Sequence, residues 1–227
     1  ALPICRDFTC AVLSVGSVKC WGSNAYYQLG TGNQTDAATP VTVSGITSGA
    51  TAITAGQLFA CAVVSGAAKC WGSNPDGGIG DGTKSAGSTP ITVSGLSSGV
   101  AAMAAGWEHT CALLVLDGVK CWGFNGYGEL GDGTTTDRLT PVSVSGLSSG
   151  VDEISAGGEF TCAVTATGGA KCWGDNVFRQ TGDGGGCCRR TTPVDVYGLT
   201  SGVSSVAAGR YHGCAVTTAG AAVCWGY

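Results

Sequence analysis

The residues of this chain with the most chemistry in them are its thirteen cysteines. So many thiols in a reducing compartment call for a metal or a redox purpose, whereas in an oxidising one they pair. A zinc knuckle would show Cys-x-x-Cys or a Cys/His cluster, and the chain has neither. Cys187 and Cys188 are adjacent, a poor spacing for chelating one ion. His109 and His212 each stand just before a cysteine, Cys111 and Cys214, which is a first sign that the chain repeats.

Ten cysteines form a regular series. Cys-Trp-Gly recurs at 20–22, 70–72, 121–123, 172–174 and 224–226, and each copy is preceded by a second cysteine followed by Ala: Cys10, Cys61, Cys111, Cys162 and Cys214. The two members lie nine or ten positions apart across a Gly-containing turn. Between Cys61 and Cys70, a two-residue turn at Ser65-Gly66 sets the cysteines opposite one another. The other four pairs need one more residue, met by a three-residue loop with a Gly bulge. Opposed residues on antiparallel strands bring Cα atoms to about 4.5–5.5 Å, within disulfide reach. The spacing therefore predicts Cys10–Cys20, Cys61–Cys70, Cys111–Cys121, Cys162–Cys172 and Cys214–Cys224 bridges, each worth about 2.5–3 kcal/mol in the chain-entropy model. The alternative, ten unpaired buried thiols, leaves the joint recurrence unexplained. Cys5, Cys187 and Cys188 stand outside the pairs; three is odd, so at least one is left unpaired or bonds another molecule.

The elements that must hold these pairs are short strands. Thr-Pro-Val or its variant opens a strand at 39–43, 89–93, 140–144 and 192–196, where proline needs no ladder partner. A second strand ends in Ala-Gly, a third opens at Cys-Ala, a fourth holds Cys-Trp-Gly, and a polar loop returns to the next proline. Forty glycines, a charged fraction of 11% and no sustained helical period suit strands and tight turns, with almost no helix. A period near 50 points to a propeller or another array. The chain reads as a single array, residues 1–227, with units at approximately 1–38 (partial), 39–88, 89–139, 140–191 and 192–227. No apolar run approaches a membrane span of about 18 residues, and no signal peptide remains, so Ala1 reads as a processed start. The net charge of −4 argues against a nucleic-acid partner.

The unit resembles the regulator-of-chromosome-condensation repeat. Its Ala-Gly-x-x-His/Phe-x-x-Ala-Leu pattern appears as Ala105-Gly106-Trp107-Glu108-His109-Thr110-Cys111-Ala112-Leu113, and its Trp-Gly-x-Asn-x-x-Gly-Gln-Leu-Gly pattern as Trp122 to Gly131. Further copies run from Trp21 to Gly30 and from Trp71 to Gly80. Kelch repeats share the period but place a Gly-Gly doublet in another context. The resemblance implies an all-β propeller of four-stranded blades. Counting strand types gives about four complete blades and one incomplete, an array that is open or part of a larger ring, provided Ala1–Ile4 is a remnant strand. Nuclear members of the family exchange nucleotide on a small GTPase in a reducing compartment, an activity that the cysteine pairs keep from being carried over.

Candidate recognition residues are those that break the repeat. Trp107 stands where other units carry Arg6, Gln57, Gly158 and Arg210. With Glu108, His109, Arg210, Tyr211 and His212 it occupies equivalent turns, which either form a rim or fill gaps between blades. The return loops add Tyr26, Tyr27, Tyr127, Phe178 and Arg179. Trp21, Trp71, Trp122, Trp173 and Trp225 belong to the repeat and read as packing. Gly-Asp-Gly at 80–82, 131–133 and 182–184 supplies too few carboxylates for calcium and reads as turn chemistry, so no metal or cofactor is expected. No catalytic constellation occurs. Asn33-Gln34-Thr35 is a glycosylation sequon on a loop. The expected function is a non-catalytic extracellular or cell-surface module binding a protein or glycan. The alternative is a structural propeller subunit that self-assembles through open strand edges and spare cysteines; an enzyme or exchange factor is the third class.

Overall fold

The cysteine pairs sit opposite one another in every hairpin. The computed structural model describes residues 7–116 and 118–227. Among the described residues, eighteen strands form five antiparallel sheets. The first holds β1 (Phe8–Val12), β2 (Val18–Gly22) and β3 (Ala37–Thr42). The second holds β4 (Ala50–Ala55), β5 (Phe59–Val64), β6 (Ala67–Gly72) and β7 (Gly87–Thr92). In the third are β8 (Val100–Ala105), β9 (His109–Leu114), β10 (Gly118–Gly123) and β11 (Arg138–Ser143), and in the fourth β12 (Val151–Ala156), β13 (Phe160–Thr165), β14 (Ala170–Gly174) and β15 (Arg190–Asp195). The fifth holds β16 (Val203–Ala208), β17 (His212–Thr217) and β18 (Ala222–Gly226). The remnant strand expected at Ala1–Ile4 lies outside the described residues.

Turn chemistry sets the register. Ser65 and Gly66 both take positive φ, 51° and 78°, the two-residue hairpin whose twist matches its strands, and it places Cys61 opposite Cys70. In the first sheet Gly16 takes the bulge position of the longer loop, and Cys10 again faces Cys20. All five expected bridges are formed, each with a Cα separation of 4.1 Å.

The Thr-Pro strand is the outer strand of the sheet before it, not the first of its own. Cys20 pairs with Val41, Cys70 with Ile91, Cys121 with Val142 and Cys172 with Val194, each with a bulge at the tryptophan that follows. Units counted from Thr-Pro therefore cross from one sheet into the next. The repeat period is the same in either phase; only strand pairing sets where a blade ends.

The core lies between sheets. Four buried clusters join the first sheet to the second, the second to the third, the third to the fourth and the fourth to the fifth. Each combines a disulfide from one blade with the tryptophan of the next. Cys162, Cys172, Phe160 and Val164, for example, pack with Val203, Val206, Ala215 and Trp225. The indole N–H of Trp71, Trp122, Trp173 and Trp225 donates to a carbonyl in the preceding return loop, at Gln28, Gly78, Glu129 and Gln180, over 2.8–2.9 Å. Those loops are ordered by buried Asn24, Asn74, Asn125 and Asn176, whose Oδ1 accepts the backbone N–H five residues on. Gly131 ends one such loop at φ 65°, where a Cβ would stand 2.8 Å from Trp173, so the motif's last glycine is fixed by this contact. Among the described residues no buried cluster joins the fifth sheet to the first.

Candidate functional site

The inner strands β4, β8, β12 and β16 end in Ala-Gly and surround a cavity of about 810 Å³. Its wall is made by the turns that follow them: Gln57, Trp107, Glu108, Gly158, Glu159 and Arg210. Backbone hydrogen bonds tie these turns together around the opening. Gln57 N–H donates to Trp107 O at 3.0 Å, Trp107 N–H to Gly158 O at 3.1 Å, and Gly158 N–H to Gly209 O at 3.2 Å. The side chains are thus carried on fixed backbone rather than on free loops.

Three blades converge at one sector of this rim. The Arg210 guanidinium lies 4.4 Å from the Trp107 ring centroid and 4.7 Å from that of Tyr211. Tyr211 meets Trp107 edge-on at 6.2 Å and Phe178 at 5.0 Å, and Phe178 meets Tyr227 at 5.3 Å. Trp107 is half-buried and Phe178 is 40% exposed, so the cluster has an open face. Aromatic rings beneath a cation, partly dry and held by packing, are the usual material of a recognition surface. The adjoining wall is acidic. Burial raises the Glu108 carboxyl above its ordinary range, and Asp76 and Asp137 add to this. Burial also raises Glu159, with Asp175 and Glu108 adding and Arg210 opposing.

Of the rim residues read from the sequence, Trp107, Arg210, Tyr211 and Phe178 are brought together. His109 is not on the rim: it is 1% exposed, its Nε2 lies 2.9 Å from Thr161 Oγ1, and burial lowers its pKa to about 4. The slot is a core slot, filled by Phe8, Phe59 and Phe160 in other blades, a signal present in the sequence. His212 occupies the same slot but is exposed. Tyr127 packs on Phe124 of its own loop instead of joining the cluster, and Tyr26 is exposed. Tyr27 and Arg179 take positive φ, 64° and 63°, at matching turns of their loops. Cys187 and Cys188 are free and exposed, whereas Cys5 and Arg6 lie outside the described residues. Asn33 is exposed, with its Oδ1 accepting the Thr35 N–H. Asp81, Asp132 and Asp183 accept from backbone N–H two residues on, as turn formers.

Glu159 and Tyr227 were not singled out from sequence. Glu159 is in register with Glu108, so the alignment of turns carried that signal. Glu129 is a further departure. It stands where the repeat has Gln28 and Gln180, is fully buried, and burial raises its pKa to about 8 against the backbone N–H groups that favour its charge. The acid is therefore neutral at pH 7; Oε2 accepts from Tyr127 N–H at 2.9 Å and Oε1 has no partner among the described residues.

Family models described as "Regulator of chromosome condensation (RCC1) repeat" match residues 16–63, 66–113 and 119–164, and again 100–129, 151–180 and 203–227. The ultraviolet-B receptor UVR8 of Arabidopsis thaliana is 35% identical over 107 residues, 46% of this chain and 24% of the receptor. The structure of human WBSCR16 superposes with a TM-score of 0.84 at 22% identity, covering 98% of this chain and 60% of that one. Yeast RCC1 (Prp20), solved bound to Kap60, gives 0.83 at 21% identity, covering 100% and 56%. The chain thus spans a quarter of the plant receptor and less than two thirds of either solved structure. At these identities the superpositions speak for the fold.

Proposed function

We propose that this chain, which belongs to the regulator of chromosome condensation (RCC1) repeat family, is a non-catalytic binding module of an oxidising, extracellular compartment. One observation carries the reading. Trp107, Arg210, Tyr211 and Phe178, none of them a repeat residue, gather from three blades, and Trp107 and Arg210 line one cavity. Every blade junction already carries a repeated tryptophan and a disulfide, and this cluster is additional to them. Large aromatics with an arginine, next to an acidic wall, suit a polypeptide partner; a glycan is the other outcome to be tested. The five bridges support the compartment, since they persist where thiols are oxidised. To test the reading, the immobilised chain is offered the extracellular proteins and glycans of its source. Capture that survives in Tyr26→Ala and is lost in both Trp107→Ala and Arg210→Ala supports it. Capture unaffected by either rim change refutes it.

A further inference from the structure

The return loop between β14 and β15 carries chemistry that its structural task does not need. In the third blade the matching loop is held by Arg138 on Asp132 at 2.8 Å. The fourth blade repeats this with Arg190 Nε donating to Asp183 Oδ2 at 2.7 Å, keeps the asparagine anchor as Asn176 Nδ2 to Gly186 O at 3.1 Å, and adds Arg190 Nη1 to Cys188 O at 3.0 Å. These anchors fix the loop backbone through Asp, Asn and Arg. The thiols of Cys187 and Cys188 take no part, and both residues are exposed. Cys188 holds φ at 131°, a region that side chains disfavour. Every other described cysteine is locked in a bridge, so the nearest thiol to each of the two is its neighbour.

We propose that Cys187-Cys188 is a redox-modification site, a vicinal dithiol that closes reversibly into a cyclic disulfide by exchange with a disulfide oxidant. One thiolate attacks a sulfur of the oxidant R–S–S–R, and R–S⁻ leaves and takes up the proton that the thiol released. The neighbouring thiolate attacks the mixed disulfide, expelling the second R–S⁻, which is protonated in the same way. Two electrons pass from the protein to the oxidant, which departs as two thiols. Adjacent Cα atoms stand about 3.8 Å apart, closer than the roughly 4.4–6.8 Å usual for disulfides, so the ring is strained. Strained, exposed disulfides are the reducible ones, and this bond opens before the five framework bridges.

The test uses the full chain, treated with oxidised glutathione, then N-ethylmaleimide, then peptide mass spectrometry. The peptide holding both residues should be lighter by two hydrogens and unlabelled. After mild dithiothreitol it should carry two maleimides while the framework bridges stay closed. Cys187→Ser, which lacks the second thiol, should accumulate one glutathione on Cys188. Two maleimides or two glutathiones on the oxidised wild-type pair overturn the proposal. So does a bridge from either residue to Cys5 or to a second copy, or a Cys187→Ser chain that takes up no glutathione.

Discussion

The third and fifth blades carry the same residue types in the same register and use them differently. His109, Cys111, Leu113, Cys121 and Trp122 are all buried in the third blade. In the fifth, His212 and Cys224 are exposed, Val216 is 43% exposed, and Cys214 and Trp225 are partly open. Neither the residue nor its own sheet decides this. The face is closed by the incoming tryptophan and inner strand of the following blade, as the third blade is by Ile154, Ala163 and Trp173. The rim positions behave otherwise. Trp107 and Arg210 are equivalent in sequence, and Arg210 of the fifth blade lies over the half-buried ring of Trp107. Framework residues answer to the stack; rim residues answer to the cavity.

The largest effect that sharpens this contrast is at the tryptophans. Trp122→Ala should cost about 3–5 kcal/mol, and Trp225→Ala clearly less because its ring already meets water. Urea unfolding of both variants reads the difference, and equal losses would break it.

Glu129 comes next. Its ordinary value of 4.5 rises to about 8, so the fold keeps a proton that the unfolded chain releases. Stability therefore falls as pH rises from 4.5 towards 8, by about 3 kcal/mol at pH 7. Glu129→Gln, the residue of the sister loops, should flatten that limb of a melting-temperature profile.

His109 gives the opposite limb. Its pKa falls from 6.5 to about 4, so the unfolded chain binds the extra proton and stability is lost as pH drops from 6.5 to 4, again by about 3 kcal/mol. Between pH 4.5 and 6.5 the slopes of these two groups offset each other. His109→Phe should uncover the falling Glu129 slope between pH 4.5 and 6.5.

The smallest effect concerns access. Among the five framework bridges, Cys214–Cys224 should be reduced first under stepwise reductant, read by differential alkylation, because Cys224 is exposed and its counterparts are sealed.

The strands, the turn at Ser65-Gly66 and all five bridges were legible in the sequence because each is decided within one hairpin. The blade boundary was not, since a repeat reads the same from any starting strand; only the pairing of Val41 with Cys20 places the Thr-Pro strand in the preceding blade. His109 was misread as rim although Phe8, Phe59 and Phe160 share its slot, and its burial depends on a blade some fifty residues further on. The meeting of Phe178 with Tyr211 and Tyr227 joins a return loop to the next blade, a contact that spacing within one unit does not encode.

The central claim is that the non-repeated rim binds and the repeated framework stabilises. Its most direct measurement is the affinity of the captured partner for wild type and for Trp107→Ala, with melting temperatures recorded on the same samples. Affinity should fall about thirtyfold or more in Trp107→Ala, the scale of an interface anchor, with little change in melting temperature. Unchanged affinity, or a melting temperature that falls as far as in Trp122→Ala, would contradict it.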